Sequence, residues 1–155
     1  MNMVISNIRS ASKFKQTVLI IDDQPTVLSI HAAIIKSLKL NLNIVTMTDP
    51  IEALAWMSKR QVDLIVSDFR MMNMDGIEFV ETINRTNSAG PKPIIVISVL
   101  KDKKLHKELI AAGASACLTK PVNPTSLANM AYFLLERSKQ FYDHRYLQIQ
   151  FLQLK

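Results

Sequence analysis

Short runs of apolar, mostly β-branched residues alternate along the chain with segments whose apolar residues recur every three or four positions. Such runs occupy residues 17–21, 42–47, 62–67, 93–98 and 115–119. They contain little polar alternation, which is typical of strands covered on both faces, as in a parallel sheet. The pattern therefore predicts five buried strands.

The segments between these runs contain residues that are typical of helix starts. Asp23 stands shortly before Pro25, and the pairs Asp49-Pro50 and Asn123-Pro124 open two further periodic segments. Proline is favoured in the first turn of a helix, after a capping acid or amide. Because parallel strands need crossover connections, the economical fold is an α/β, doubly wound five-stranded parallel sheet with helices on both faces.

Polar side chains stand where four of the predicted strands end. Asp22 and Asp23 follow the first strand, Asp68 the third, Ser98 ends the fourth and Lys120 follows the fifth. In open parallel sheets, sites form beyond the carboxyl ends of the strands. We therefore expect these five residues to converge at one edge.

Three acids brought together repel one another unless a cation is present or their pKa values rise. Oxygen ligands suit Mg²⁺, whereas zinc prefers the Cys or His ligands that this edge lacks. Lys120 and Ser98 would stabilise an anion bound there. A carboxylate can attack phosphorus and form an acyl phosphate, and Asp68 is the predicted nucleophile.

Composition limits the classes of protein. The chain has 155 residues, 48% of them hydrophobic and 21% charged, which favours one compact domain. The net charge of +6 comes from scattered basic residues, and the cluster at 100–107 lacks interleaved aromatics, so direct nucleic-acid binding is not expected. The lone Cys117 and the absence of a leader-like pattern or a long apolar stretch favour a cytoplasmic protein without membrane attachment.

Four motifs carry a resemblance to a known family. The stretches VLIIDDQP, DLIVSDFRMMNMDG, VIS and GASACLTKP resemble the receiver domain of two-component response regulators. The resemblance covers about residues 16–137, with 1–15 as an N-terminal extension and 138–155 as a C-terminal helical extension. It implies the flavodoxin-like receiver fold.

The resemblance also implies a role for each residue at the sheet edge. Asp22 and Asp23 would bind Mg²⁺ together with Asp68 and the backbone carbonyl of Arg70. Asp68 would accept the phosphoryl group, Ser98 would be the switch hydroxyl and Lys120 would contact the phosphoryl oxygens. The bond between Lys120 and Pro121 matches one that is cis in the family, and Asp23 is also a candidate cap for the first helix.

The chain departs from the family pattern at three positions. Met72 replaces a usual proline, which predicts a more mobile loop. Val99 replaces a small residue and is expected to narrow access to Asp68. Cys117 stands where an aromatic switch residue is common. We therefore expect either that signalling runs through Ser98 and the adjoining loop alone or that the domain is a weakly switching variant.

Three classes of function remain open. In the leading one, a histidine kinase or phosphotransfer protein phosphorylates Asp68 and alters binding to a downstream protein or output domain, which is not an enzymatic role. The second is a pseudo-receiver, an interaction module with slow or no phosphorylation. The third, an aspartate-nucleophile phosphohydrolase, requires a second acid where the chain has Gln24.

The end of the chain predicts an unusually long helix. After Pro124 no proline or glycine occurs as far as Lys155. Beyond the expected core positions, apolar residues recur at mostly three- and four-residue steps, namely Leu135, Tyr142, Tyr146, Ile149 and Leu152, widened by Phe141 and Phe151. We expect this stripe to form a homodimer or to lead into an output domain, with folding back onto the domain as the alternative.

Overall fold

Five parallel strands form the central sheet, as the sequence predicts. The strands are β1 (Gln16–Ile21), β2 (Leu42–Met47), β3 (Leu64–Asp68), β4 (Ile94–Ser98) and β5 (Ala116–Thr119). Observed and predicted boundaries agree within two residues at each end. The strand order in the sheet is β2-β1-β3-β4-β5, and each neighbouring pair runs parallel.

The structure is a computed structural model. It describes residues 15–87, 90–99 and 101–153, with side chains as far as residue 140.

Helices cover both faces of the sheet. The helices are α1 (Pro25–Lys36), α2 (Pro50–Met57), α3 (Gly76–Thr86), α4 (Lys103–Ala112) and α5 (Pro124–Gln153). Helices α2 to α4 pack on one face, while α1 and α5 pack on the other. The doubly wound α/β fold is therefore confirmed.

The sheet is apolar because it is covered on both sides. All the residues of β3 and β4 are buried, and the side chains of each strand divide between two core clusters. Fully burying an aliphatic or aromatic side chain stabilises the fold by roughly 1.5 to 3 kcal/mol. The result is a rigid platform that presents its carboxyl edge to solvent.

Side chains cap most helix starts. Asp49, Asp75 and Asp102 each accept a hydrogen bond from a backbone N–H in the first turn of α2, α3 and α4. The start of α1 differs from the expectation, because its N-cap residue is Gln24 rather than Asp23. The carboxylate of Asp22 accepts from the Gln24 N–H at 2.9 Å, and this local turn replaces a conventional cap.

Helix α5 has 30 residues and is continuous, as predicted, as far as Gln153. At 1.5 Å per residue it is about 45 Å long. Leu135 belongs to the buried core and not to the predicted outer stripe, because it shares the inward helix face with Leu127 and Ala131. The other stripe residues lie outside the part of the chain whose side chains are described.

One side chain fastens α5 to the sheet. The Gln16 Nε2 donates to the carbonyl of Leu135 at 3.0 Å and to the Ser138 hydroxyl at 2.9 Å. Gln16 opens β1 at the amino-terminal edge, opposite the acid-bearing edge. Helix α5 is therefore held to the domain at least as far as Ser138. Among the described residues, no helix is both long enough and apolar enough to cross a membrane.

Candidate functional site

The two central strands bring the acids together. Strands β1 and β3 are neighbours in register, with Ile21 beside Ser67, so the residues that follow them lie side by side. Carboxylate oxygens of Asp22, Asp23 and Asp68 lie within 4.8 Å of one another. Asp22 and Asp68 are 1% and 6% exposed, whereas Asp23 faces solvent. The convergence predicted from the sequence is therefore present.

Lys120 faces these acids from the end of β5. Its Nζ lies 2.7 Å from Asp68 Oδ1 and 3.6 Å from Asp22 Oδ2. Its backbone N–H donates to the carbonyl of Ser98 at 2.8 Å, which fixes the chain beyond β5 against β4. The peptide bond between Lys120 and Pro121 is cis. The site is thus assembled from three strand ends that hold one cation against buried carboxylates.

Burial and charge act in opposite directions on the central pair. Burial raises the pKa of Asp68, while the hydrogen bond and charge of Lys120 offset part of that rise. Burial opposes the charged form of Lys120, yet its contacts with Asp68 and Asp22 outweigh burial and raise the pKa of the ammonium. Lys120 therefore stays charged, and Asp68 is a more basic carboxylate than one in water.

The acid group fits a divalent cation. Asp22 Oδ2 is buried and has no hydrogen-bond partner among the described residues, since the 3.6 Å from Lys120 exceeds hydrogen-bonding distance. Three carboxylates opposite one ammonium leave a formal charge of −2 (−3 + 1). Within the described parts of the chain, this is the one group of three potential ligands, and it contains oxygen donors alone. Such a set suits Mg²⁺.

A short ribbon shapes the loop after β3. Arg70–Met71 pairs with Met74–Asp75 in antiparallel fashion, and Asn73 turns the chain with a left-handed φ of 71°. The Gly76 N–H donates to the Phe69 carbonyl at 2.7 Å, closing the loop. The sequence did not predict this ribbon. Met72, the residue in place of proline, lies at its tip with 70% of its surface exposed.

An open cleft of about 280 Å³ lies over the acids. Ser98 is almost fully buried at the end of β4, whereas Val99 is 54% exposed. Sequence reasoning missed Gln24 and Phe69 as cleft residues. Each directly follows a predicted acid, and this adjacency was the available signal. The lining residues are Asp23, Gln24, Asp68, Phe69, Arg70, Ser98, Val99 and Lys120.

Cys117 lies away from this chemistry. It pairs with Val96 between β5 and β4 and packs partly buried against the core. Burial raises the pKa of its thiol, which disfavours the reactive thiolate. Its side chain acts as a small apolar group.

Comparison with known proteins identifies the class. Residues 18–132 match the family model described as the response regulator receiver domain. The chain belongs to this family of two-component signalling proteins, and the resemblance seen in its motifs is confirmed.

Similar curated proteins are longer than this chain. It is 32% identical over 123 residues to the cyclic di-GMP phosphodiesterase response regulator RpfG of Xanthomonas campestris, covering 79% of this chain and 32% of that protein. It is 34% identical over 126 residues to protein-glutamate methylesterase/protein-glutamine glutaminase 1 of Chromobacterium violaceum, covering 80% and 33%. The chain thus spans about a third of the length of these relatives.

Solved structures support the same fold. The chemotaxis response regulator CheY4 of Vibrio cholerae matches with a TM-score of 0.69 and 27% identity, over 79% of this chain and all of that one. The receiver domain of the Francisella response regulator 1452 matches with a TM-score of 0.73 and 24% identity, over 80% and 99%. The flavodoxin-like receiver fold is therefore shown.

The opposing effects on Asp68 yield a testable pKa change. The substitution Lys120→Met removes the hydrogen bond and the positive charge that lower the pKa of Asp68. Burial then acts with less opposition, so this pKa should rise further above its ordinary value. A carbon-13 NMR titration of the Asp68 carboxyl measures this directly. Lys104→Met, which removes an exposed lysine paired with Glu108 on α4, is the matched control and should leave that pKa unchanged.

The raised pKa of Asp68 also determines how the stability of the fold changes with pH. The folded state holds the Asp68 proton more tightly than the unfolded chain does. The stability that Asp68 contributes is therefore complete below the unfolded pKa and is lost as pH rises through the folded pKa. Lys120→Met should move the end of this loss to higher pH, and an unchanged or lower Asp68 pKa in the variant would contradict the account.

Proposed function

We propose that this receiver domain is a phosphoacceptor. A histidine kinase or a phosphotransfer protein donates a phosphoryl group to Asp68 in a Mg²⁺-dependent reaction, and the phosphorylated form binds a downstream protein or output domain differently. One observation carries the proposal: the Lys120 ammonium lies 2.7 Å from Asp68 Oδ1, and carboxylate oxygens of two further acids lie within 4.8 Å of those of Asp68.

The reaction requires a carboxylate nucleophile and charge neutralisation. One Asp68 oxygen attacks phosphorus, the bond from phosphorus to the donor nitrogen breaks, and the donor keeps that electron pair. The product is an aspartyl phosphate. Lys120, which stays protonated, then contacts the phosphoryl oxygens, and Ser98 at the end of β4 supplies a hydroxyl to the same group.

Chain residues would hold the metal ion. Asp22, Asp23 and Asp68 supply carboxylate oxygens, and Arg70, which lines the same cleft, supplies its backbone carbonyl. Bound Mg²⁺ would neutralise charge that develops on the transferring phosphoryl group. The partnerless Oδ2 of Asp22 supports this assignment, since burying an oxygen without a partner costs free energy.

The signal would leave the site through β4 and β5. The backbone link from Lys120 to Ser98 joins the phosphoryl-contacting lysine to the switch hydroxyl. Because Cys117 offers no aromatic ring to rotate, we propose that Ser98 and the adjoining loop carry the change to the face formed by α4, β5 and α5. The acids and the lysine assembled at the sheet edge favour a domain that is phosphorylated over the pseudo-receiver alternative.

We propose that the chain is a switch module and not itself an enzyme. The named activities of its longer relatives belong to those proteins, of which this chain matches about a third. A cytoplasmic location is part of the proposal, because the single cysteine cannot form an internal disulfide.

Phosphate uptake tests the central assignment. Intact-mass measurement after incubation with acetyl phosphate and Mg²⁺ should show one added phosphoryl group on the parent protein and none on Asp68→Asn. Asp75→Asn is the matched control, because asparagine also caps a helix and Asp75 lies in the same loop. Persistent labelling of Asp68→Asn would refute Asp68 as the acceptor.

Melting curves test the metal site. Mg²⁺ should raise the melting temperature of the parent protein, since a ligand at one hundred times its Kd stabilises a native state by about 2.7 kcal/mol. Asp23→Ala should weaken the response without unfolding the protein, because Asp23 is exposed. Asp49→Asn, a capping substitution on α2, should respond like the parent. A parent protein indifferent to Mg²⁺ would contradict the site.

The long α5 supports a further part of the proposal, a homodimer. We retain residues 16–137 as the receiver domain, with 1–15 and 138–155 as extensions. Among the side chains of α5 that are described, as far as residue 140, the last buried one is Leu135, and the helix itself continues to Gln153. An apolar stripe on a helix beyond its domain favours association with a second copy.

Light scattering tests this dimer. The full chain should be dimeric, and a version ending at Gln140 should be monomeric, with a circular dichroism spectrum that shows it is still folded. That end point keeps the bonds from Gln16 to Leu135 and Ser138. If both the full chain and the shortened version are monomeric, the dimer is refuted. That result would favour an extension that folds back onto the domain or leads into an output domain.

A further inference from the structure

Gln24 is a cleft residue whose side chain has no structural task among the described residues. Its backbone N–H donates to Asp22 Oδ1 at 2.9 Å, and its carbonyl accepts from the Leu28 N–H at 3.1 Å. Although it is the N-cap residue of α1, its carboxamide makes no capping bond. The backbone is therefore committed, and the exposed carboxamide is available to a ligand in the cleft.

The carboxamide stands among groups of different chemistry. Lys120 and Arg70 only donate hydrogen bonds, whereas the carboxylates of Asp23 and Asp68 only accept them. Phe69 and Val99 do neither. Ser98 has a hydroxyl that does both, but it is 1% exposed and sits at the floor of the cleft.

Among these cleft residues, Gln24 is exposed and can both donate and accept a hydrogen bond. A neutral carboxamide accepts a hydrogen bond from a water molecule through its oxygen and donates one to a phosphoryl oxygen through its nitrogen. Phosphoryl-transfer enzymes use glutamine in this way to orient an attacking water. No lysine, arginine or ionised acid can do both at once.

We propose that Gln24 positions the water that hydrolyses the aspartyl phosphate at Asp68, and that it thereby sets the lifetime of the phosphorylated state. The inference rests on the proposed phosphoacceptor function. Water oxygen attacks phosphorus, the bond from phosphorus to the Asp68 oxygen breaks, and Asp68 leaves as a carboxylate. The proton of the water passes to the released inorganic phosphate, so Gln24 is a positioning residue that neither gains nor loses a proton.

The position of Val99 makes an oriented water important. This branched side chain is 54% exposed and lines the same cleft. Its apolar side chain offers no hydrogen bond to a water molecule near Asp68. A water molecule that approaches phosphorus beside Val99 must therefore be oriented by the polar residues that line the cleft, which include Gln24.

The decay of the phosphorylated protein tests this role. The full chain is labelled with acetyl phosphate and Mg²⁺, the donor is removed, and the loss of the phosphoryl group is followed by intact mass. Gln24→Ala and Gln24→Leu should both decay between about two- and tenfold more slowly than the parent, the effect expected from one lost hydrogen bond. Thr26→Ala, an exposed substitution in the same turn that does not line the cleft, should decay like the parent.

The two substitutions separate orientation from shielding. If Gln24 merely blocked the cleft, alanine would open it and speed the decay, while leucine would not, and this result would overturn the inference. Melting temperatures with and without Mg²⁺ should match the parent in both variants, which excludes a disturbed metal site as the cause of slow decay.

The inference and the proposed function fail in different ways. A parent protein that takes up no phosphate at Asp68 refutes the proposed function, and the inference with it. Normal labelling with equal decay rates in the parent and both Gln24 variants overturns the inference alone.

Discussion

The ion pair between Lys120 and Asp68 is the interaction on which this site depends. Three carboxylates within 4.8 Å of one another repel strongly where burial removes water from two of them. The ammonium at 2.7 Å offsets part of that repulsion, and the backbone bond from Lys120 to Ser98 keeps it there. The remaining excess of negative charge makes the site receptive to a divalent cation.

The strand order explains how these groups meet. Acids from β1 and β3 lie side by side because those strands are neighbours, and β4 and β5 bring Ser98 and Lys120 to the same edge. The two core clusters lie on the two faces of the sheet and hold its strands in place, while the functional side chains stand on strand ends and loops. Such a division lets the site vary without loss of the fold.

The three departures from the family pattern affect different parts of the molecule. Val99 is exposed and lines the cleft together with Asp68. Cys117 packs against the core, at a position where the family pattern often has an aromatic residue. Met72 lies at the tip of a ribbon, whose pairing and left-handed Asn73 shape the loop without a proline.

The sequence by itself determined the sheet, the crossover helices and the convergence of acids, lysine and serine, because apolar runs, helical periodicity and strand ends are local patterns. Only the tertiary structure showed that Asp22 Oδ2 lacks a hydrogen-bond partner among the described residues, that Gln24 lines the cleft and that Leu135 is buried in the core. It also decided the bond from Gln16 to Leu135, whose partners stand 119 positions apart. Periodicity cannot reveal such contacts, because they depend on how separate elements pack in space.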